Sequence, residues 1–402
     1  MSQLANCFDE WIRRDFKQLN TELETLYFNQ KDRTNIIGIG DELKQELLYQ
    51  GNTHISALLK EGNTDEGFEA GFTLLGNVGF FMAACRRHEL SNPDREHKSP
   101  LKEASSLSMQ LGASLGLTPR FATSHLTTHN TAINGQYKSF TALQDEYCFL
   151  EFNTRSILAD KRASDALVRI LPLGISHPVA YDLLTVAKSA LEEALNLNKQ
   201  LFDRLDIERF FYCVRPYYKP HRVGLHVYRG ANAGDFAGIN VIDLLLGLCS
   251  GADAFYSQLL VDKFLYMMPE DQALLRDCLR RKSLMQQFLE KQDYADSDWF
   301  QKQVRLFLEL CELHGQIAAQ HHDQLVRRFI ELPSQDLPKE QAKSITASGP
   351  PLSVLLKSLE QLRDLRGAKD RDDIDSRYKE IQRLRQSLSI QDSKIATSDS
   401  LL

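Results

Sequence analysis

The sequence predicts an all-α fold, and three observations carry that prediction. Only 12 prolines and 21 glycines punctuate 402 residues. Long stretches repeat apolar residues at helical spacing. Strings rich in β-formers, such as Val223–Tyr228, are short and too few to build a large sheet. At about 150 residues per domain, the length suits two or three domains. Composition shifts place a boundary near residue 140. Residues 1–140 then form a smaller N-terminal helical domain, 141–390 a large helical-bundle domain, and 391–402 a frayed tail.

Taken in order, Phe8, Trp11, Ile12 and Phe16 fit one helix face, and Leu183, Leu184, Ala187, Leu191, Ala194 and Leu195 another, within Val179–Leu205. Polar stretches with breakers mark the connections at 91–100, 127–139 and 331–351. The last of these is long enough to be functional. From Leu352 to about Leu388 the chain predicts a charged amphipathic helix or helix pair.

Hydrophobic residues at 43% and charged residues at 25% describe a globular chain with ample material for a core, which excludes a fibrous or disordered one. The net charge of −6 and the lack of a Lys/Arg stripe give no reason to expect nucleic acid or an anionic membrane as partner. The N-terminus has no basic region followed by an apolar one. The apolar runs Val241–Leu248 and Gly79–Cys85 fall short of the roughly 20 residues a membrane span needs. Seven cysteines, at 7, 85, 148, 213, 249, 278 and 311, are odd in number and contain no CxxC, which suits reduced thiols. The expected location is the cytoplasm.

Several chemistries lack their signatures. There is no GxGxxG, Walker A, HExxH or GxSxG, and GIGDEL at Gly38 has neither the third glycine nor the strand–helix setting. No Glu precedes a His by three positions, which argues against a ferritin-like di-iron site. His125 and His129 have a helical metal spacing, but with no nearby acid a solvated or capping segment is the better reading.

The most informative helix is predicted over Ser297–Ile330, opened by Asp296–Ser297–Asp298 and stopped before Pro333. Phe300, Val304, Phe307, Cys311, His314, Ala318, His321 and Leu325 advance by alternating fours and threes, so all eight share one buried stripe. At about 1.5 Å per residue the helix would run about 50 Å. An imidazole on such a stripe is either a core histidine bonded to a carbonyl or a metal or haem ligand. His314 has the small neighbours Gly315 and Ala318, which would leave room for a flat macrocycle. His321 and His322 lie nearer the charged end, and His321 is the alternative ligand.

Two further stretches lie upstream. Six of the nine residues Gly230–Gly238 are Gly or Ala, and an apolar helix follows. Such a loop either lets backbone approach a ligand and offers free N–H groups to an anion, or makes a tight turn. Arg215 sits among Phe210, Phe211, Tyr212, Tyr217 and Tyr218. It is either a bidentate clamp for a carboxylate beside an aromatic wall or a surface arginine stacked on tyrosine.

These features, in this order, resemble the haem-dependent indoleamine/tryptophan 2,3-dioxygenase superfamily. FFYCVR (210–215) is similar to its Phe-Phe-x-x-x-Arg, and residues 228–247 to its small-residue loop and the helix ending Leu-Leu-Gly. FLYMMPEDQALLRD (264–277) resembles the Tyr-Met-Pro-Pro segment, ELHGQIAAQHH (312–322) the proximal-histidine helix, and ITASGPPLSVLLKSL (345–359) the Thr-Gly-Gly-Thr lid. The resemblance spans roughly residues 110–360. The loop's wording is closest to a bacterial branch that contains a chlorotryptophan-rearranging enzyme of the pyrrolnitrin pathway.

The resemblance implies a helical domain holding haem b, with His314 as proximal iron ligand and Gly230, Ala233, Gly234, Phe236 and Gly238 bordering the haem. It implies that Phe210 and Phe211 line a substrate pocket, that Arg215 binds the substrate carboxylate, that Ser348 and Gly349 lie in the lid, and that Ser156 is a distal serine. The partners implied are an indole-type small molecule and O2, with a homo-oligomer compatible with the sequence. The chain departs from the family in its lid, where Pro350 and Pro351 add stiffness, and at Asp235 and Phe236, where the indoleamine branch has small polar residues. Both departures fall on the substrate side and bear on whether L-tryptophan itself is the substrate. The leading expectation is an indole oxygenase that inserts oxygen across the C2–C3 bond, or performs a monooxygenation or rearrangement. The alternatives are a haem sensor or carrier indifferent to indoles, and a colourless helical scaffold.

Overall fold

The structure is a computed structural model that describes residues 1–62, 66–231, 233–335, 337–338 and 352–398. It is helical nearly throughout. The sheet among the described residues is one hairpin, β1 (His221–Val223) against β2 (His226–Tyr228), with Arg222 opposite Val227. The all-α expectation holds.

The chain forms two compact units, each assembled from several segments. The first comprises Met1–Thr154, Asp203–Asp235 and Val326–Leu355; the second comprises Arg155–Phe202, Phe236–Leu325 and Leu356–Leu402. A single boundary near residue 140 does not describe this. A 27-residue helix, Gln144–Ile170, carries the chain out of the first unit without a break, and the chain later returns twice.

The first unit contains α1 (Gln3–Arg13), α2 (Asp15–Phe28), α3 (Asp41–Glu61), α4 (Phe68–Arg87), α5 (Lys102–Leu115) and the short α6 (Thr123–Leu126). Phe8, Trp11, Ile12 and Phe16 are all buried, but not on one helix. The backbone breaks at Arg14 (φ −121°, ψ −86°), so Phe16 belongs to α2. Around them Phe80, Phe140 and Tyr217 pack ring on ring, with centroids 4.9 and 4.4 Å apart. α4 is long and apolar enough to cross a membrane by length and composition, which the short apolar runs did not suggest. Here every residue from Leu74 to Arg87 is buried, as in a central core helix. Its polar members are paired: Arg87 gives two hydrogen bonds to Glu24, each 2.7 Å long. A buried ion pair of this kind is tolerated only when its lone pairs and protons are matched.

α7 (Gln144–Ile170) ends in the second unit, which continues with α8 (Pro178–Arg204). Leu183, Leu184, Ala187, Leu191 and Ala194 are buried as expected, while Leu195 is half-buried. After α9 (Ile207–Arg209) in the first unit, the second resumes with α10 (Ala237–Leu246), α11 (Ala254–Phe264), α12 (Pro269–Cys278), α13 (Leu284–Glu290) and α14 (Asp298–Gln320). Helix α10 is apolar on every side and almost wholly buried, so it forms the middle of that core. It ends at Gly247, whose left-handed φ of 76° lets Leu248 N–H return to the Asp243 carbonyl.

Ser297 stands at the N-cap of α14, yet its hydroxyl donates to the Tyr294 carbonyl instead of accepting from the helix. Phe300, Val304, Phe307, Cys311, His314 and Ala318 are buried as the stripe predicts. At His321 the helix widens into a π-helix that runs to Glu331, and the stripe fails there: His321 is exposed. Two helices follow the short α15 (Leu332–Gln335): α16 (Leu352–Arg366) and α17 (Tyr378–Ser398), the pair the sequence allowed. The tail expected to fray stays helical to Ser398.

Candidate functional site

In the first unit, the backbone winds as a π-helix over Phe210–Val214 and then tightens into a 3-10 turn over Arg215–Tyr218, with Pro216 setting the tighter turn. The change of pitch turns Arg215 inward. It is 4% exposed, and neither Nη1 nor Nη2 has a hydrogen-bond partner among the described residues. Its guanidinium lies 5.6 Å from the Phe211 ring centroid, and burial pushes its pKa down to about 10. Phe210 is also buried, between Phe149 at 5.1 Å and Phe329 at 5.9 Å. A buried cation without a counter-ion is costly and is retained where a ligand supplies the anion.

The small-residue loop is explained largely by packing. A Cβ on Gly230 would run into the Tyr218 carbonyl oxygen, so only glycine fits beside the turn that holds Arg215. Asp235 is buried between two arginines: Arg120 donates to Oδ2 at 2.9 Å and Arg229 to Oδ1 at 2.6 Å. Gly234 lies in the 3-10 turn Ala233–Asp235 and is half-buried. In the second unit, Phe236 is buried and caps α10 by its extended backbone. A Cβ on Gly238 would only touch the backbone of Asp160, at 3.5 Å.

His314 has its coordinating nitrogen occupied. Nε2 lies 2.7 Å from Asp243 Oδ1, and the ring is 3% exposed. Asp243 accepts from Arg366 twice, at 2.8 Å to Oδ1 and 2.7 Å to Oδ2, and from the Tyr256 hydroxyl at 2.7 Å. Asn240 donates to that hydroxyl at 3.1 Å. Burial alone would raise the Asp243 carboxyl. Arg366 and then His314 outweigh it and hold the group well below the usual carboxylate range. Gly315, expected to leave room for a macrocycle, faces Gly367 instead, whose Cα would stand 3.0 Å from a Cβ there. His314 is therefore held at Nε2 by a buried hydrogen-bond cluster, and an iron at that nitrogen would have to replace Asp243 as its partner.

His321, the alternative, is exposed, and no hydrogen bond fixes its ring among the described residues. His322, which the sequence did not single out, has one ring nitrogen engaged and the other without a hydrogen bond among the described residues. Its ring is largely covered, with 16% of the side chain exposed. Nδ1 lies 2.8 Å from Asp323 Oδ1, and Arg363 Nη1 is 3.2 Å away. Nδ1 thus stands between an acceptor, Asp323, and a donor, Arg363, while Nε2 makes no hydrogen bond with any described residue. A ring oriented by a carboxylate on one nitrogen with the other free is how protein imidazoles present themselves to a metal.

Two other candidates are engaged within the fold, His125 as the cap the sequence allowed. Ser156 donates to Asn198 Oδ1 at 3.3 Å and ties α7 to α8, so it is not a free distal hydroxyl. His125 has both nitrogens engaged, accepting from Ala122 N–H and donating to the Phe72 carbonyl, each at 2.8 Å. No group of three or more His, Cys, Asp or Glu side chains could hold a metal ion among the described residues. Ser348 and Gly349, assigned to a lid, lie outside the described residues, as does the side chain of Ala233.

Comparison with known families places these features. Residues 2–388 match the family model described as monodechloroaminopyrrolnitrin synthase PrnB. The chain belongs to the PrnB family. PrnB is a haem-dependent, tryptophan-dioxygenase-like enzyme of the pyrrolnitrin pathway, so the chain is an enzyme of a haem-dependent oxidoreductase family. Membership supports a haem-dependent oxygenase acting on an indole or tryptophan-type substrate. The match covers almost the whole chain, and its range includes residues 210–215, the loop 230–238 and the helix that carries His314.

Proposed function

We propose that the protein is a haem b-dependent oxygenase of an indole that carries a carboxylate, with Arg215 binding that carboxylate. The observation that carries this reading is the Arg215 guanidinium, buried with both terminal nitrogens unpartnered. A planar fork of N–H donors held in this way matches a carboxylate in charge and geometry. When bound, haem b supplies ferrous iron at which dioxygen is activated. His322, whose Nε2 makes no hydrogen bond among the described residues and whose Nδ1 lies against Asp323, would hold the iron. Phe211 lies beneath the guanidinium, and Phe210 contributes apolar surface that suits an aromatic ring. The substrate's carboxylate neutralises Arg215 without water, so binding orients the indole before any chemistry.

The test is the visible spectrum of the haem-loaded protein titrated with tryptophan, substituted tryptophans and indole itself. Arg215→Gln should weaken the carboxylate-bearing ligands by roughly 30-fold, about 2 kcal/mol for a charge-assisted pair, and leave indole unchanged. Equal binding of tryptophans by wild type and variant would overturn the assignment. A Soret band that ignores every indole in the wild type would favour a haem carrier or sensor instead.

A further inference from the structure

Arg215 opens the 3-10 turn of the first unit and Tyr218 closes it. In a 3-10 turn the side chains at positions i and i+3 eclipse, so these two leave the backbone on the same side, about 6 Å apart along the axis. Tyr218 is half-buried, and its hydroxyl is fully covered with no hydrogen-bond partner among the described residues. Both Arg215 terminal nitrogens are in the same condition. One turn thus presents two unpartnered polar ends to one side, and buried polar groups in that state call for a partner from outside the fold.

The pair is firmly placed. Pro216 sets the turn, and the Tyr218 carbonyl oxygen fills the space where a Cβ of Gly230 would stand. The Tyr218 ring packs against Phe121, Phe140 and Phe149, with centroids 6.4, 6.1 and 6.1 Å away. Phe149 also lies 5.1 Å from Phe210, so one ring links the tyrosine to the aromatic wall beside Arg215. All of these residues belong to the first unit.

The two ends suit different groups. A bidentate guanidinium holds both oxygens of a carboxylate. At Tyr218, burial and then the charge of Glu146 hold the phenol well above its ordinary value, so the hydroxyl stays protonated. The Glu146 oxygens accept the Phe140 and Thr141 N–H groups and the Thr141 hydroxyl, and leave the phenol unpartnered. A carboxylate acting on this hydroxyl repels a second anion there and favours a cation, whose N–H the phenol oxygen can accept. On a molecule whose carboxylate sits at Arg215, the cation within reach of the same face is an ammonium on the adjoining carbon.

We propose that Tyr218 is a specificity-determining residue of this enzyme. Its hydroxyl accepts a hydrogen bond from the α-ammonium of a substrate whose carboxylate Arg215 holds, so the site selects an amino acid over the corresponding deaminated acid. This rests on the carboxylate reading of Arg215.

The experiment is calorimetric binding of L-tryptophan and indole-3-propionate, which differ only in the α-amino group, to the haem-loaded protein. It is run at about pH 8, where Glu146, pushed up to about 7, is charged. Tyr218→Phe should bind L-tryptophan roughly tenfold more weakly and indole-3-propionate as the wild type does, whereas Arg215→Gln should weaken both. Ligand-free Tyr218→Phe should melt no lower than the wild type, because the hydroxyl it removes has no partner in the fold. Equal losses for the two ligands, or no loss for L-tryptophan, overturn the proposal. So does a lower melting temperature, which would show that the hydroxyl already serves the fold. If Arg215→Gln binds both ligands as the wild type does, or the wild type binds neither, the carboxylate reading fails and the ammonium contact with it. If Arg215→Gln weakens both and Tyr218→Phe neither, the Tyr218 proposal alone fails.

Discussion

His314 and His322 lie on one helical path and differ in what their ring nitrogens touch. His314 Nε2 is closed by Asp243, whereas His322 uses Nδ1 on Asp323 and leaves Nε2 open. His322→Ala should therefore abolish the Soret band of the haem-loaded protein, and added imidazole should restore part of it. His314→Ala should keep haem and lose stability by about 1–3 kcal/mol, because Asp243 and Arg366 lose one of their buried partners. Haem titration and thermal melting of both variants check this, and the opposite pattern would return the iron to His314. The apolar stripe made the burial of His314 legible. What it could not show was the carboxylate that occupies the ring, 71 residues earlier in the chain. Nor could it show the π-helix, which changes the residues per turn and moves His321 off the stripe. Arg215 was legible because a cation in an aromatic run must be either exposed or ligand-directed. Only its orphaned nitrogens decide between the two.

The loop from Gly230 to Gly238 connects the turn that positions Arg215 to helix α10. Its small residues do different jobs, which composition alone could not separate. Gly230 is imposed by the Tyr218 carbonyl, whereas Gly238 merely borders Asp160. Gly230→Ala should accordingly cost about 3 kcal/mol or more, because the clash is with backbone and cannot be relieved by a rotamer. Gly238→Ala should cost less than about 1 kcal/mol, because the added Cβ makes only van der Waals contact and helix propensity rises. Urea unfolding of both variants separates the cases. Equal destabilisation by the two substitutions would show that the loop relaxes and that the Tyr218 contact is not a constraint. Asp235 was read as a departure on the substrate side. Its two arginine partners make it a brace of the loop itself.

Across the whole chain, buried titratable groups are distributed unequally between the units, and this sets how acid acts. The first unit holds three histidines that burial keeps neutral: His88, well below its ordinary value, His125 at about 3 and His221 at about 4. His88 spends its nitrogens on Tyr27 and Asn20, at 3.0 and 2.7 Å, and its burial beside Arg87 opposes a positive charge on the ring. A histidine lowered on folding stabilises above its unfolded value of about 6.5, and that contribution is lost as pH falls toward the folded value. Glu146, raised to about 7 by burial, works the other way, and Glu24 is raised by the same cause. Near pH 5.5 the unfolded first unit thus binds between about one and two more protons than the native one, a loss of about 1.5–2.5 kcal/mol per pH unit. In the second unit, Asp160 and Asp271 are raised by burial and gain stability over the same range, which offsets the one histidine lowered there among the described residues, His321 at about 4, while the depressed Asp243 loses its share only at lower pH. Acidification from about pH 7 to about pH 5.5 should therefore open the first unit before the second. Hydrogen exchange followed by mass spectrometry on the intact chain reads this directly. Peptides from α4 and α5 should lose protection while those from α10 and α14 keep it. Loss in α10 first would mean that the Asp243 cluster, not the neutral histidines, is the acid-labile part of the molecule.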